Sequence, residues 1–181
     1  ERFSAWRHEE IGGLVMTLGA MAAEHVLYGE NTTGVGGDVQ SATMRSAYMV
    51  GLCGMGPEPV DLRGRVLDEA REEREREIMQ RFERIGVQIM NRAGASPMSG
   101  DALAGVLSDP GKRAAAARIL GQCYLTAVCA MRHNREAVAE IAEILVQRRE
   151  LYGDEVVELL DRAALEAPAI DVLDDQIWPK L

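Results

Sequence analysis

Leu18-Gly19-Ala20-Met21-Ala22-Ala23-Glu24-His25-Val26-Leu27-Tyr28 runs straight into Gly29-Glu30-Asn31-Thr32-Thr33-Gly34-Val35-Gly36-Gly37-Asp38. Leu18, Ala22 and Val26 continue the spacing of Ile11, Leu14 and Val15, so apolar side chains recur on one face of a helix over residues 4–28. Gly12, Gly13 and Gly19 weaken that helix by up to about 1 kcal/mol each and mark it for close packing against another backbone. Residues 29–38 are a turn-rich loop. A second helix follows, with Val39, Ala42, Ser46, Met49, Val50 and Cys53 on one face, and Gly54-Met55-Gly56-Pro57 stops it.

Working outward, the same period continues and no strand pattern interrupts it. Residues 67–90 form a highly charged helix with the stripe Ala70, Ile78, Phe82, Ile85 and Ile89, supported by Glu72–Arg76 and Glu77–Arg81 pairs. Mixed charge of this kind reads as a solvated face. Residues 91–100 form a loop, and Ser99 caps a short helix through Leu107. Asp109-Pro110 supplies an N-cap with proline at the first helical position. The helix it starts reaches His133, with Ala117, Leu120, Tyr124, Ala127, Val128 and Met131 facing in. Asn134 caps a helix over 135–150 built on Val138, Ile141, Ala142, Leu145 and Val146; Gly153-Asp154 starts the last one, which Pro168 ends.

Composition agrees with an all-α fold, a compact bundle of about six helices. The chain has 181 residues, 47% apolar and only 4% aromatic, which disfavours a β-sandwich or barrel. One unit is expected over 1–165, divided into a helix pair around the loop (1–56), a divergent charged helix and loop (57–109) and the last helices (110–165), with 166–181 as a tail. The net charge of −9 is a poor footprint for nucleic acid, which is excluded as a partner. Cys53, Cys123 and Cys129 form no CxxC pair and point to a reducing compartment. No apolar run is read as a membrane span, and no secretory leader is apparent. A chain opening on Glu1 within a helix reads as a piece of something longer.

Several chemistries fail on their spacing. The Gly34–Asp38 loop lacks both the GK[ST] and the preceding strand of a phosphate cradle, and Gly111-Lys112-Arg113 has Val106 and Arg113 at positions where that motif needs Gly and Ser or Thr. His8-Glu9-Glu10-Ile11-Gly12 opens like HExxH, but Gly12 stands where the second imidazole is required. His25 and His133 have no second histidine four residues away, and no local signature supports a Ser or Cys nucleophile. Asp38, after a glycine-rich loop and before an amphipathic run, is by residue type an N-cap. Glu24 and His25 are a helix-face carboxylate and a partly buried imidazole.

Taken together, these segments resemble one family. Residues 18–30 are similar to the helix LGGRAAEELVFGE of FtsH-type ATP-dependent zinc metalloproteases, and Thr32-Thr33-Gly34-Val35-Gly36-Gly37-Asp38 to that family's TTGASND. Residues 39–55 resemble its LxxATxxAxxMVxxxGM helix, and residues 134–156 its terminal helix pair. The resemblance implies a C-terminal part of a helical peptidase domain that degrades protein or peptide substrates. It implies zinc held by two histidines of an HExxH helix and by Asp38, with the Glu of that motif activating the attacking water. HExxH would lie upstream of Glu1, so no catalytic residue is expected within these residues and the chain alone is expected to be inactive. Glu24 matches a family carboxylate near the metal helix and is expected to orient a ligand histidine. ATP is implied only through a separate ATPase domain, and a homohexamer only by the family. A membrane is implied only through a segment elsewhere: the whole protein would sit at the cytoplasmic face while this chain is soluble. Met21, His25 and Gly36-Gly37 depart from the family pattern, which keeps open a non-catalytic module for oligomerisation or substrate handling.

Overall fold

A computed structural model describes residues 4–92 and 102–180. Among them the fold is all-α: α1 (Arg7–Thr17), α2 (Gly19–Tyr28), α3 (Gly36–Gly51), α4 (Asp68–Arg92), α5 (Ala102–Ser108), α6 (Pro110–His133), α7 (Arg135–Arg148) and α8 (Gly153–Ala163). Single 3-10 turns occur at Thr33–Val35 and Asp175–Ile177. The helix expected over 4–28 is two helices, because Leu18 leaves the helical path while its N–H still bonds the Leu14 carbonyl. Ser99 and most of the loop expected at 91–100 lie outside the described residues.

The core forms around α6. Asp109 accepts from the Lys112 N–H at 2.8 Å and Pro110 occupies the first turn, so the N-terminus is fixed as the sequence requires. Ala116, Ala117, Ile119, Leu120, Cys123, Tyr124, Leu125, Ala127 and Val128 are all buried, on more than one face. A helix apolar nearly all round has to be surrounded, and α1 to α5 each pack against it. The firmest crossing is with α4. A Cβ on Gly86 would land on the Ala117 carbonyl, and one on Gly121 on the Phe82 carbonyl, so the two backbones meet directly. The close packing expected at Gly12, Gly13 and Gly19 is not there: Gly12 and Gly19 face open space, and Gly13 meets only the Arg45 guanidinium.

On α4, Ile78, Phe82, Ile85 and Ile89 are buried as the stripe predicts, whereas Ala70 is exposed because the first turns run past the end of the core. The expected ion pairs are replaced by Arg71–Asp68 and Arg74–Glu77, three residues apart, and Arg81 reaches away from Glu77 to Asp175.

Among the described residues, two helical stretches have the length and composition of a membrane span, contrary to the reading of the sequence: Arg7–Tyr28 (22 residues) and Pro110–His133 (24 residues). The second is the core helix, and the first is divided at Leu18.

The C-terminal third differs most from expectation. Nothing on α7 is fully buried, and Leu145 and Val146 are exposed. Asn134 occupies the N-cap position of α7, as expected, but its side chain makes no cap bond and instead bonds the Ala130 carbonyl and both backbone groups of Glu166. A left-handed Ala164 ends α8, before Pro168 is reached. Residues 170–178, expected as tail, lie on the core: Trp178 is buried against Phe82, with ring centroids 5.0 Å apart.

Candidate functional site around the 29–38 loop

Gly29 closes α2 in the left-handed conformation (φ 79°), which favours glycine, and turns the chain toward α3. Two side chains then fix the loop. The Asn31 amide donates to the Met21 carbonyl at 2.7 Å and receives Arg92, from the end of α4, at 3.0 Å. Glu24 accepts from both the Thr32 N–H (2.7 Å) and the Thr32 hydroxyl (2.8 Å). Thr32 in turn caps the 3-10 turn by accepting from the Gly34 N–H at 3.2 Å, and Val35 plugs the core beneath. These contacts hold the Glu24 carboxyl below its ordinary pKa, the Thr32 backbone bond first and the hydroxyl bond next, because both favour the ionised form.

Asp38 is the third residue of α3, not its cap: the cap position is Val35, and Gly36 and Gly37 already lie within the helix. The carboxylate is half-buried in the first turn, where a negative charge is favoured by the exposed N–H groups of the helix end. Behind it, Thr43 and Ser46 are buried but bonded within the helix, to the Val39 and Thr43 carbonyls. The glycines of this loop therefore start a helix. They form no nest for a phosphate.

His25, next to Glu24, is partly buried. Desolvation lowers its pKa first, and the Arg132 and Arg92 charges lower it further, all favouring the neutral imidazole over the charged one. His8 is exposed on α1, and His133 lies 3.6 Å from Glu166.

Among the described residues, no three His, Cys, Asp or Glu side chains form a group that could hold a metal ion. Zinc takes three or four protein ligands, so the donors among the described residues do not make a zinc site by themselves. Among the described residues, clefts lie on other parts of the surface, three of them well defined. The first, of about 320 Å³, has Arg7, Gln122 and Ile170 among its lining residues; the second, about 740 Å³, is bordered by Arg132, Asn134 and Arg162; the third, about 620 Å³, by Glu10, Tyr48 and Cys53. Neither Glu24 nor Asp38 lines any of these three.

Asn31 and Thr32 stand in the loop that the sequence singles out, but their bonds to Met21 and Glu24, and the part of Arg92, were not legible. Thr32 followed two residues later by glycine is a local turn signal, but the reach from Glu24 spans eight positions and that from Arg92 sixty-one.

Over most of its length the chain is similar to FtsH-type ATP-dependent zinc metalloproteases. It is 29% identical over 159 residues to the ATP-dependent zinc metalloprotease FTSH 2, chloroplastic, of Oryza sativa subsp. japonica, which covers 85% of this chain and 20% of that protein. It is 29% identical over 163 residues to FTSH 6, chloroplastic, of the same plant. To the ATP-dependent zinc metalloprotease FtsH of Thermotoga maritima it is 27% identical over 160 residues, covering 88% of this chain and 23% of that protein. The chain thus spans about a fifth of the length of these curated relatives. No family model and no solved structure matches it.

Proposed function

We propose that this chain is the C-terminal part of the peptidase domain of an ATP-dependent zinc metalloendopeptidase, and that its part in the chemistry is to present Asp38. The observation that supports this is the pinned loop: Glu24 and Arg92 reach it from different helices and fix the path into α3, whose first turn carries a half-buried carboxylate. Asp38 then serves as one ligand of a zinc ion whose other ligands these 181 residues do not supply. Bound zinc would activate water for attack on a peptide bond. Glu24 acts at one remove. With Thr32 on both its oxygens, it positions the loop that delivers Asp38. Protein substrates, a homohexamer, a separate ATPase domain and a membrane anchor outside this chain belong to the same proposal.

The test is Asp38→Asn in the whole protein that carries this chain. Zinc content by mass spectrometry and peptidase activity both fall to background while the melting temperature is unchanged. A variant that keeps its zinc and its activity overturns the reading. The isolated chain with added zinc should not cleave peptides; cleavage abolished by a chelator would also overturn it.

A second reading, a non-catalytic helical module, is favoured by Met21, His25 and Gly36-Gly37, which depart from the family pattern around the loop. Under it, the whole protein is free of zinc with and without the Asp38→Asn change.

A further inference from the structure

The chain leaves the core at the end of α6 and returns to it near Ile170. Met131 packs against the core where it leaves; Ile170, Val172, Leu173 and Ile177 do so where it returns, and Trp178 is buried. The return is firmly held. Arg65 bonds Asp171 at 2.5 Å, Arg81 bonds Asp175 at 2.6 Å, and Arg132 donates to the Gln176 and Ile177 carbonyls at 3.2 and 2.8 Å. Between these two anchors, α7 and α8 add no side chain to the core. They hold each other instead. Arg148 pairs with Glu155 at 3.1 Å near the tip of the hairpin, and Arg162 with Glu140 at 3.7 Å near its base. Leu159 is the only residue of the two helices that is fully buried. At 14 and 11 residues, the helices have lengths at which an isolated helix is marginal in water, so each depends on the other.

The base of the hairpin is a joint. Asn134 leaves the helical path between α6 and α7 (φ −101°, ψ 22°), and the left-handed Ala164 ends α8. A few residues at the ends of elements are what absorb the dihedral changes of a hinge. One side chain ties the two pivots together. The Asn134 amide donates to the Glu166 carbonyl at 2.8 Å, and its oxygen accepts from the Glu166 N–H at 2.9 Å. His133 adds its Nε2, 3.6 Å from the Glu166 carboxylate. Beside the joint lies the cleft of about 740 Å³ bordered by Arg132, Asn134 and Arg162, which gives the hairpin room to turn.

We propose that α7 and α8 form an arm that swings as one body about Asn134 and Ala164, and that the Asn134–Glu166 pair is the latch that limits its range. A region with few buried apolar contacts departs from its packed position at low free energy. Here that region is bounded by two well-packed anchors, so the movement is confined to the arm. The two ion pairs and Leu159 keep its helices together while it turns. Hinge movements of this kind take microseconds to milliseconds. The inference does not depend on the proposed peptidase role.

The test places spin labels on the full chain with Cys53→Ser, so that the one exposed thiol is removed. Glu158→Cys on the arm is paired with Gln88→Cys on α4, and Ala20→Cys with Gln88→Cys serves as the pair within the bundle; all three positions are exposed. Double electron–electron resonance should give a broader distance distribution for the arm pair than for the bundle pair. Asn134→Ala should populate distances away from the parent's main one about tenfold more, as the loss of two hydrogen bonds allows, and leave the bundle pair unchanged. Asn134→Asp, which keeps the acceptor for the Glu166 N–H, should fall between the two and serves if Asn134→Ala does not fold. Deuterium exchange separates swinging from melting: amides in the middle of α7 and α8 stay protected in every variant. An arm distribution that neither substitution changes overturns the proposal, and so does loss of protection throughout α7 and α8.

Discussion

Glu24 accepts two hydrogen bonds from Thr32, one from its N–H at 2.7 Å and one from its hydroxyl at 2.8 Å. A single α2 carboxylate thereby sets where the loop turns and where α3 begins. Its pKa is lowered from 4.5, so the stabilisation it adds is fully present above the ordinary carboxylate range and is lost as pH falls through the lower, folded value. The Thr32 amide resonance, followed by NMR from neutral to acid pH, should move with a midpoint below 4.5. In Glu24→Gln that titration disappears, because the amide side chain does not ionise. An unchanged midpoint in the variant would show that another group controls the loop.

The α4–α6 crossing makes a sharper demand. Gly86 and Gly121 each lie against a carbonyl of the opposite helix, so an added methyl group has backbone in its way and no side chain to displace. Overpacking of this kind costs about 1–3 kcal/mol where side chains can adjust, and Gly86→Ala is expected at or above the top of that range. Gly12→Ala, within α1 and facing open space, should go the other way, stabilising by about 0.4–1 kcal/mol through lost freedom of the unfolded chain. Urea unfolding of both variants checks the pair. A Gly86→Ala protein as stable as the parent contradicts the crossing.

These two contacts mark where the sequence is readable and where it is not. Local signals carried through: Asp109-Pro110 starts α6, and the Ile78–Ile89 stripe faces the core. What failed was tertiary. Gly12, Gly13 and Gly19 resemble Gly86 and Gly121 in composition, and only the helix that happens to cross decides which glycine is needed. Arg92 reaching Asn31, and Trp178 reaching Phe82, join residues too far apart for any periodic pattern. The stripe Val138, Ile141, Ala142, Leu145 and Val146 predicts a helix at α7, and the helix forms, but none of these side chains is fully buried and Leu145 and Val146 are exposed, because periodicity does not name what covers a face. Asp38 was legible as the beginning of a helix but not as a first-turn residue, because Gly36 and Gly37 entered the helix ahead of it.

Tyr124 is fully buried on α6, and its hydroxyl has no hydrogen-bond partner among the described residues. Burial pushes its pKa up to about 12. A buried hydroxyl without a partner costs about 1–3 kcal/mol, so Tyr124→Phe, which keeps the ring, should leave stability unchanged or raise it. Thermal unfolding of the variant measures this. A loss above about 1 kcal/mol, the ordinary worth of a made hydrogen bond, would mean that the hydroxyl does find a partner.

The three thiols separate by environment. Cys53 is exposed beyond α3, while Cys123 and Cys129 are buried in α6. Burial raises the Cys123 thiol to about 12 and the Cys129 thiol also upward, with nearby arginines opposing only in part. Thiolate is the reactive form, so at neutral pH both core thiols are protonated as well as shielded. Alkylation of the native chain should therefore give one fast modification, at Cys53, and two that appear only with unfolding. Peptide mapping after a short iodoacetamide pulse locates it. Because the slow pair reports opening of the core around α6, Gly86→Ala should speed labelling at Cys123 and Cys129 without changing it at Cys53. Equal acceleration at all three sites would place the damage outside the α4–α6 crossing.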